Sequence, residues 1–172
     1  MTQDLVIWVD ENDKVLGLVS RVQAHDKQKL LLHRETMELI YSDSTHTRFW
    51  LQKRSQNKEQ YPGKWTLSAT CHVNPGDITS EDPEGYLTAG QREGMEEINL
   101  KVVKQRIVKK IVSETAVNKA ILGLVVAECE GKPTPDLNEV SEVKLFDKES
   151  VRGITDELTP AAVKCLQELD II

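Results

Sequence analysis

The ten residues Gln91–Leu100, QREGMEEINL, decide how this chain is read. Arg92, Glu93, Glu96 and Glu97 fill four of six successive positions. In a helix, Glu93, Glu96 and Glu97 are related by i, i+3 and i+4, so their carboxylates share one face. Like charges at that spacing cost roughly 0.2–0.5 kcal/mol per pair. A solvated face tolerates the cost. A hard divalent cation converts it into binding, because Mg²⁺ takes carboxylate oxygens and keeps waters that a phosphate can displace. Taken alone, the cluster fits either reading.

Outward from this stretch, the periodicity is helical from about Tyr86 to Asn99, with Leu87, Met95 and Ile98 able to share a face. Asn99 tolerates the left-handed conformation that ends a helix. On the C-terminal side, LKVVKQRIVKKIVSE is rich in β-branched residues, and AILGLVVAECEG reads as a buried strand ending at a glycine turn. DELTPAAVKCLQELDII is a terminal helix with Thr159 as N-cap and Pro160 at the first position. On the N-terminal side, LVIWVDENDKVLGLVSR predicts two short strands around a polar turn, and Thr36–Tyr41 and HTRFWLQKRS predict two more. QNKEQYPGKWT and NPGDITSEDPEG are loops. Many strands with few helices predict a mixed β-sheet in an α/β (α+β) architecture, in one domain over residues 1–172.

The net charge of -6 argues against a protein whose main task is to hold a nucleic-acid backbone. The basic run KVVKQRIVKK lacks interleaved aromatics and reads as a charged edge strand. Cys71, Cys129 and Cys165 are too few and too scattered for a disulfide framework, which fits a reducing, cytoplasmic setting. The start MTQDLVIWVDEND lacks the basic and apolar segments of a signal peptide, and no apolar run approaches membrane-spanning length.

With PGKWTLSATCHVNPGD placed before the acidic helix, the chain resembles the Nudix hydrolase superfamily, whose signature is G-x5-E-x7-R-E-U-x-E-E-x-G-U, U being bulky and apolar. Arg92–Glu97, REGMEE, fits the second half at every charged position, and CHVNPGD resembles the first half with Cys71 for glycine and Asp77 for glutamate. LLHRE, LQKRSQNKEQYPGKWTLS, NEVSEVKLF and ELTPAAVKCLQEL resemble its isopentenyl-diphosphate-isomerase-like branch, so the likeness runs from about Val9 to the C-terminus. Between Asp77 and Arg92 lie fourteen residues, where the signature has seven, and Glu84 restores the shorter spacing. Asp77 and Glu84 therefore compete for the first acidic role. Gly94 and Asn99 also depart from the pattern.

The resemblance implies a Nudix-like α/β/α sandwich and metal-dependent hydrolysis of a small-molecule diphosphate linked to a moiety X, with Mg²⁺ or Mn²⁺ as cofactor. It implies Glu93, Glu96 and Glu97 as metal ligands, with the carbonyl of Cys71. Arg92 would orient a carboxylate, and Glu139, in NEVSEV, is the candidate general base. Arg54 and Lys64, flanking the expected cleft, are candidates for the substrate phosphate. Trp65 stacks on a ring or packs in the core. Relatives are often dimeric, so a homodimer is the assembly to look for. Two alternatives stand beside the hydrolase: an isomerase and a non-catalytic binding module on the same fold. His25, His33 and His72 stand roughly where the isomerases place metal-binding histidines, but Thr70 falls where they need a catalytic cysteine. Val117 and Lys119 fall where they need glutamates.

Overall fold

The computed structural model describes residues 4–172. Strand β1 (Leu5–Val9) and β2 (Val15–Ser20) form an antiparallel hairpin, closed by Asp10, whose carboxylate accepts the backbone N–H groups of Asn12 and Lys14. A short helix α1 (Arg21–Ala24) leads to β3 (His33–Tyr41), the hub of the sheet. Around β3 lie β4 (Phe49–Arg54), β5 (Trp65–Thr66), β6 (Ala69–His72) and, after helix α2 (Tyr86–Ile98), β7 (Lys101–Glu114) and β8 (Lys119–Glu130). β9 (Val140–Phe146), α3 (Lys148–Arg152) and α4 (Pro160–Glu168) complete the chain. β8 lies parallel to β3 over the whole of that strand, whereas β6 and β4 run antiparallel to it. The sheet is therefore mixed, as expected.

Alternation along β3 assigns the layers. Met37, Leu39 and Tyr41 join Ala162, Cys165 and Leu166 of α4 in the largest apolar cluster. Thr36, Glu38 and Ile40 point to the other side, where the Thr36 hydroxyl donates to the Tyr86 carbonyl and Ile40 lies under Gly94. The result is a sandwich with α2 on one face and α4 on the other. Trp65 belongs to the core, edge-on to Phe146.

Helix α2 corrects one expectation. Its buried face is Tyr86, Ala89, Gly90, Gly94, Glu97 and Ile98, whereas Met95 is 48% exposed. Small residues let the helix axis approach the sheet, so the face that carries Glu97 is turned inward. Gly123 serves the same approach from below: a Cβ there would fall 2.3 Å from the Tyr86 ring. At the helix start, Gly85 offers no side-chain acceptor, and Asp82 acts for it. Its two carboxylate oxygens accept the N–H groups of Gly85 at 3.1 Å and Thr88 at 2.8 Å. At the end, Asn99 is left-handed with φ 48°, as expected, and its N–H returns to the Gly94 carbonyl. Thr159 caps α4 by accepting from the Ala162 N–H. Among the described residues, no helix is long and apolar enough to cross a membrane.

Candidate functional site

β3 pairs with β6 over Glu35–Glu38 but meets β4 only at Ile40 and Tyr41. Between β6 and the β4–β5 pair the sheet opens, leaving a cavity of about 290 Å³ with Arg92 and Glu93 of α2 on one side and Thr159 and Ala161 at the start of α4 on the other.

Arg92 organises the acidic wall. Its Nε donates to Asp77 Oδ1 at 2.9 Å and its Nη2 to Asp77 Oδ2 at 3.0 Å, a bidentate pair with a buried carboxylate. Its Nη1 donates to Glu93 at 3.1 Å and to the exposed Glu96 at 3.3 Å. Of the two candidates for the first acidic position, Asp77 is the one that reaches Arg92, and Glu84 pairs with Lys110, on β7. The inserted residues bulge outward between Asp77 and the helix and leave the Arg92–Asp77 pair intact.

Glu97 is buried. Gln52 Nε2 donates to it at 2.8 Å and Lys58 Nζ at 3.1 Å. Lys58 also pairs with Glu139, so the loop acid does reach the carboxylate cluster, through a lysine that sequence reasoning did not single out. A basic residue in a polar loop carries no periodic signal, and only the fold brings it to Glu97. Burial, then the nearby charge of Glu97, pushes the Glu93 carboxyl up to about 8. Glu93 and Glu97 stand one helical turn apart, and a divalent cation between their carboxylates would remove that cost.

Of the remaining expected residues, Arg54 lines the cavity and its Nε donates to the Gln60 carbonyl. Lys64 is turned away from the cavity and donates to the Asp156 carbonyl at 2.6 Å, which corrects its expected place in the cleft. The Cys71 thiol donates to the Ala89 carbonyl at 3.5 Å, and burial raises its pKa well above the ordinary range, so it is a neutral thiol. Thr70 sits opposite Met37 in the ladder and lines the cavity.

At the far end of the cleft the three histidines converge. The ring centroids of His25, His33 and His72 lie 5.0, 5.0 and 5.1 Å apart, and Glu35 joins them. One ligand atom from each of the four residues lies within 4.8 Å of the others. Burial depresses His72 to about 3, so it is neutral at pH 7. Burial opposes the charge of Glu35, but hydrogen bonding to His33, the His72 and His33 rings and the Asn118 amide hold its pKa down at about 2. Sequence reasoning named the histidines and missed Glu35, although it stands two residues after His33, the spacing that puts two side chains on one face of a strand.

No protein-family model matches the chain. Among curated proteins it is 27% identical over 172 residues to isopentenyl-diphosphate Delta-isomerase I of Clarkia breweri, covering 90% of this chain and 58% of that protein. To isopentenyl-diphosphate Delta-isomerase 1 of Mus musculus it is 26% identical over 184 residues, covering 98% and 80%. To an uncharacterized Nudix hydrolase of Pseudomonas aeruginosa it is 31% identical over 98 residues, covering 57% and 52%. The chain thus spans little more than half the length of two of these three relatives. Among solved structures, DR0079 from Deinococcus radiodurans superposes with a TM-score of 0.72 at 19% identity, over 95% of this chain and 98% of that one. A C. elegans Ap4A hydrolase superposes with a TM-score of 0.58 at 19% identity, over 80% and 94%. At such identities the likeness to solved structures establishes a common fold.

Proposed function

Because this chain belongs to the Nudix superfamily, on its isopentenyl-diphosphate-isomerase-like branch, we propose that it is a divalent-cation-dependent hydrolase of a small organic diphosphate. The observation that carries this reading is the Arg92–Asp77 bidentate pair beside Glu93 and Glu97, which holds an acidic wall rigid along one side of a cleft. Glu93 and Glu97 would hold the cation, with Glu96 reaching its waters; Mg²⁺ suits these oxygens, and Mn²⁺ is the alternative. When bound, such a cation polarises a phosphoryl oxygen and acidifies an attacking water. Arg92 orients the carboxylates. Arg54 and Arg21, on the opposite rim, attract the phosphate groups, and Lys58 can exchange Glu139 for a phosphate oxygen. Glu139, released from Lys58, would accept the proton of the attacking water. The cavity, about 290 Å³, lies just under the usual range of about 300–1,000 Å³, which supports a compact X.

The converging histidines favour an isomerase as a second reading. Against it, Thr70 occupies the cleft where the isomerases need a cysteine, and the neighbouring Cys71 thiol is engaged by α2. One experiment separates the two. Purified protein is supplied with Mg²⁺ or Mn²⁺ and a panel of nucleoside triphosphates, nucleotide sugars, dinucleoside polyphosphates and prenyl diphosphates, beside Glu97→Gln. Metal-dependent phosphate release that the variant loses supports the hydrolase. Hydrolysis that survives Glu97→Gln overturns the ligand assignment, and double-bond migration without hydrolysis moves the conclusion to the isomerase.

A further inference from the structure

The outer strands of the sheet are of two kinds. β7 is defended: it carries Lys101, Lys104, Arg106, Lys109 and Lys110, its register shifts at Val102/Lys104 and Ile107/Lys109, and Lys164 Nζ donates to the Val112 carbonyl at 2.7 Å. β9 carries Glu142 and Lys144. Charges and bulges of this kind keep an edge from pairing with another chain. β2, which reads VLGLVS, has no charged residue, and among the described residues it pairs only with β1. Val15, Leu16 and Leu18 are each half exposed, and Val22, just beyond the strand on α1, is 83% exposed. The Arg21 N–H donates to the Asp4 carbonyl at 2.8 Å, so antiparallel alternation turns the backbone of Val19 and Gly17 towards β1 and the N–H and C=O of Leu18 outward. At the end of the strand, the outward Ser20 N–H donates to Gln23 Oε1 at 2.9 Å. The open apolar stretch is therefore centred on Leu18.

We propose that the β2 edge is an interface between two copies of this chain, paired antiparallel about a two-fold axis at Leu18. The strand is complementary to itself, as an interface of that symmetry requires. Its start adjoins the turn that sets Asp10, Glu11 and Asp13 against Lys14, and its end adjoins Arg21, Lys27 and Lys29 against Asp4 and Asp26. Antiparallel pairing brings the acidic end of one copy beside the basic end of the other, whereas parallel pairing would set like beside like. At the axis, the Leu18 N–H of each copy donates to the carbonyl of the partner's Leu18, and the two side chains meet on one face of the joined sheet. Arg21 and Asp4 line the cavity, so the interface ends at the mouth of the cleft. The inference does not depend on which reaction the cleft performs.

The test is sedimentation velocity on the full chain over a wide range of concentrations. Wild type is expected to pass from monomer to dimer with a dissociation constant on the order of 10 µM, because one strand pair buries less than the roughly 1,200 Å² of a standard interface. Leu18→Lys sets two ammonium groups face to face at the axis and is expected to weaken dimerisation by at least about 10-fold. Val108→Lys, on β7, is expected to dimerise as wild type does. Leu18→Cys places two thiols on residues whose Cα atoms lie about 5.5 Å apart across the axis, within reach of a disulfide. On mild oxidation it is expected to give a covalent dimer that wild type, with Cys71, Cys129 and Cys165, does not. Wild type that stays monomeric throughout overturns the proposal, as does Leu18→Lys that dimerises like wild type. Loss of the dimer in Val108→Lys would move the interface to β7 and overturn it as well. If Leu18→Lys does not fold, Leu18→Cys decides: the covalent dimer supports the proposal, and its absence overturns it.

Discussion

Glu38 is a fully buried carboxyl, 0% exposed, and among the described residues neither of its oxygens has a hydrogen-bond partner. It lies on β3 beneath Gly90, where a Cβ on the helix would come within 2.9 Å of its Oε2. Across the ladders it faces Ala69 and Val125. Burial alone raises it from an ordinary value of 4.5 to about 8. The sign follows from proton binding. The folded protein holds this proton more tightly than the unfolded chain does, so the group's contribution is fully present below pH 4.5 and is lost as pH rises towards 8. In that window stability falls by about 1.4 kcal/mol per pH unit, or on the order of 4 kcal/mol between pH 5 and pH 8. Glu38→Gln keeps the shape and has no proton to lose. Urea unfolding of both proteins at pH 5, 6, 7 and 8 provides the assay, with the difference in midpoint stability plotted against pH. Subtraction removes groups the two proteins share, including the raised Glu93 and the depressed His72. The variant's advantage over wild type is expected to be smallest at pH 5 and to grow steadily up to pH 8. Parallel curves across the whole range would refute the reasoning and mean that Glu38 finds a partner or water in solution.

Two further outcomes follow from the same geometry. Arg92→Lys keeps the charge but cannot form the bidentate pair, so Asp77 is left partly unsatisfied; a loss of about 1–3 kcal/mol in thermal unfolding and a fall in kcat larger than any rise in KM are expected. Full activity in the lysine variant would show that charge alone is enough. Gly123→Ala forces the Tyr86 ring aside and should cost about 1–3 kcal/mol, with Tyr86→Leu/Gly123→Ala losing less than the sum of its single changes. Additive losses in that cycle would show that the two positions do not press on each other.

The acidic helix was legible because its information is local. Glu93, Glu96 and Glu97 share a face through i, i+3 and i+4 geometry alone, and Asn99 and Thr159 announce helix ends by what their own side chains or backbones tolerate. The alternating strand pattern likewise predicts a mixed sheet with helices on its faces. What lay beyond the sequence were contacts between segments far apart in the chain. Asp77 and Glu84 are equal candidates on paper, and only the path of the inserted loop brings one to Arg92 and the other to Lys110. The outward turn of Met95 follows from the close approach that Gly90 and Gly94 permit, which a helical wheel cannot weigh against the larger apolar side chains. Lys58 meets Glu97 and Glu139 through a loop, and Lys64 leaves the cleft through another. Glu35 and His72 come from separate segments and touch because β3 and β6 pair in one register, where a slip of one residue would turn the two side chains to opposite faces of the sheet. Local periodicity specifies which face of an element is chemical; strand pairing and loop paths decide which chemical faces meet.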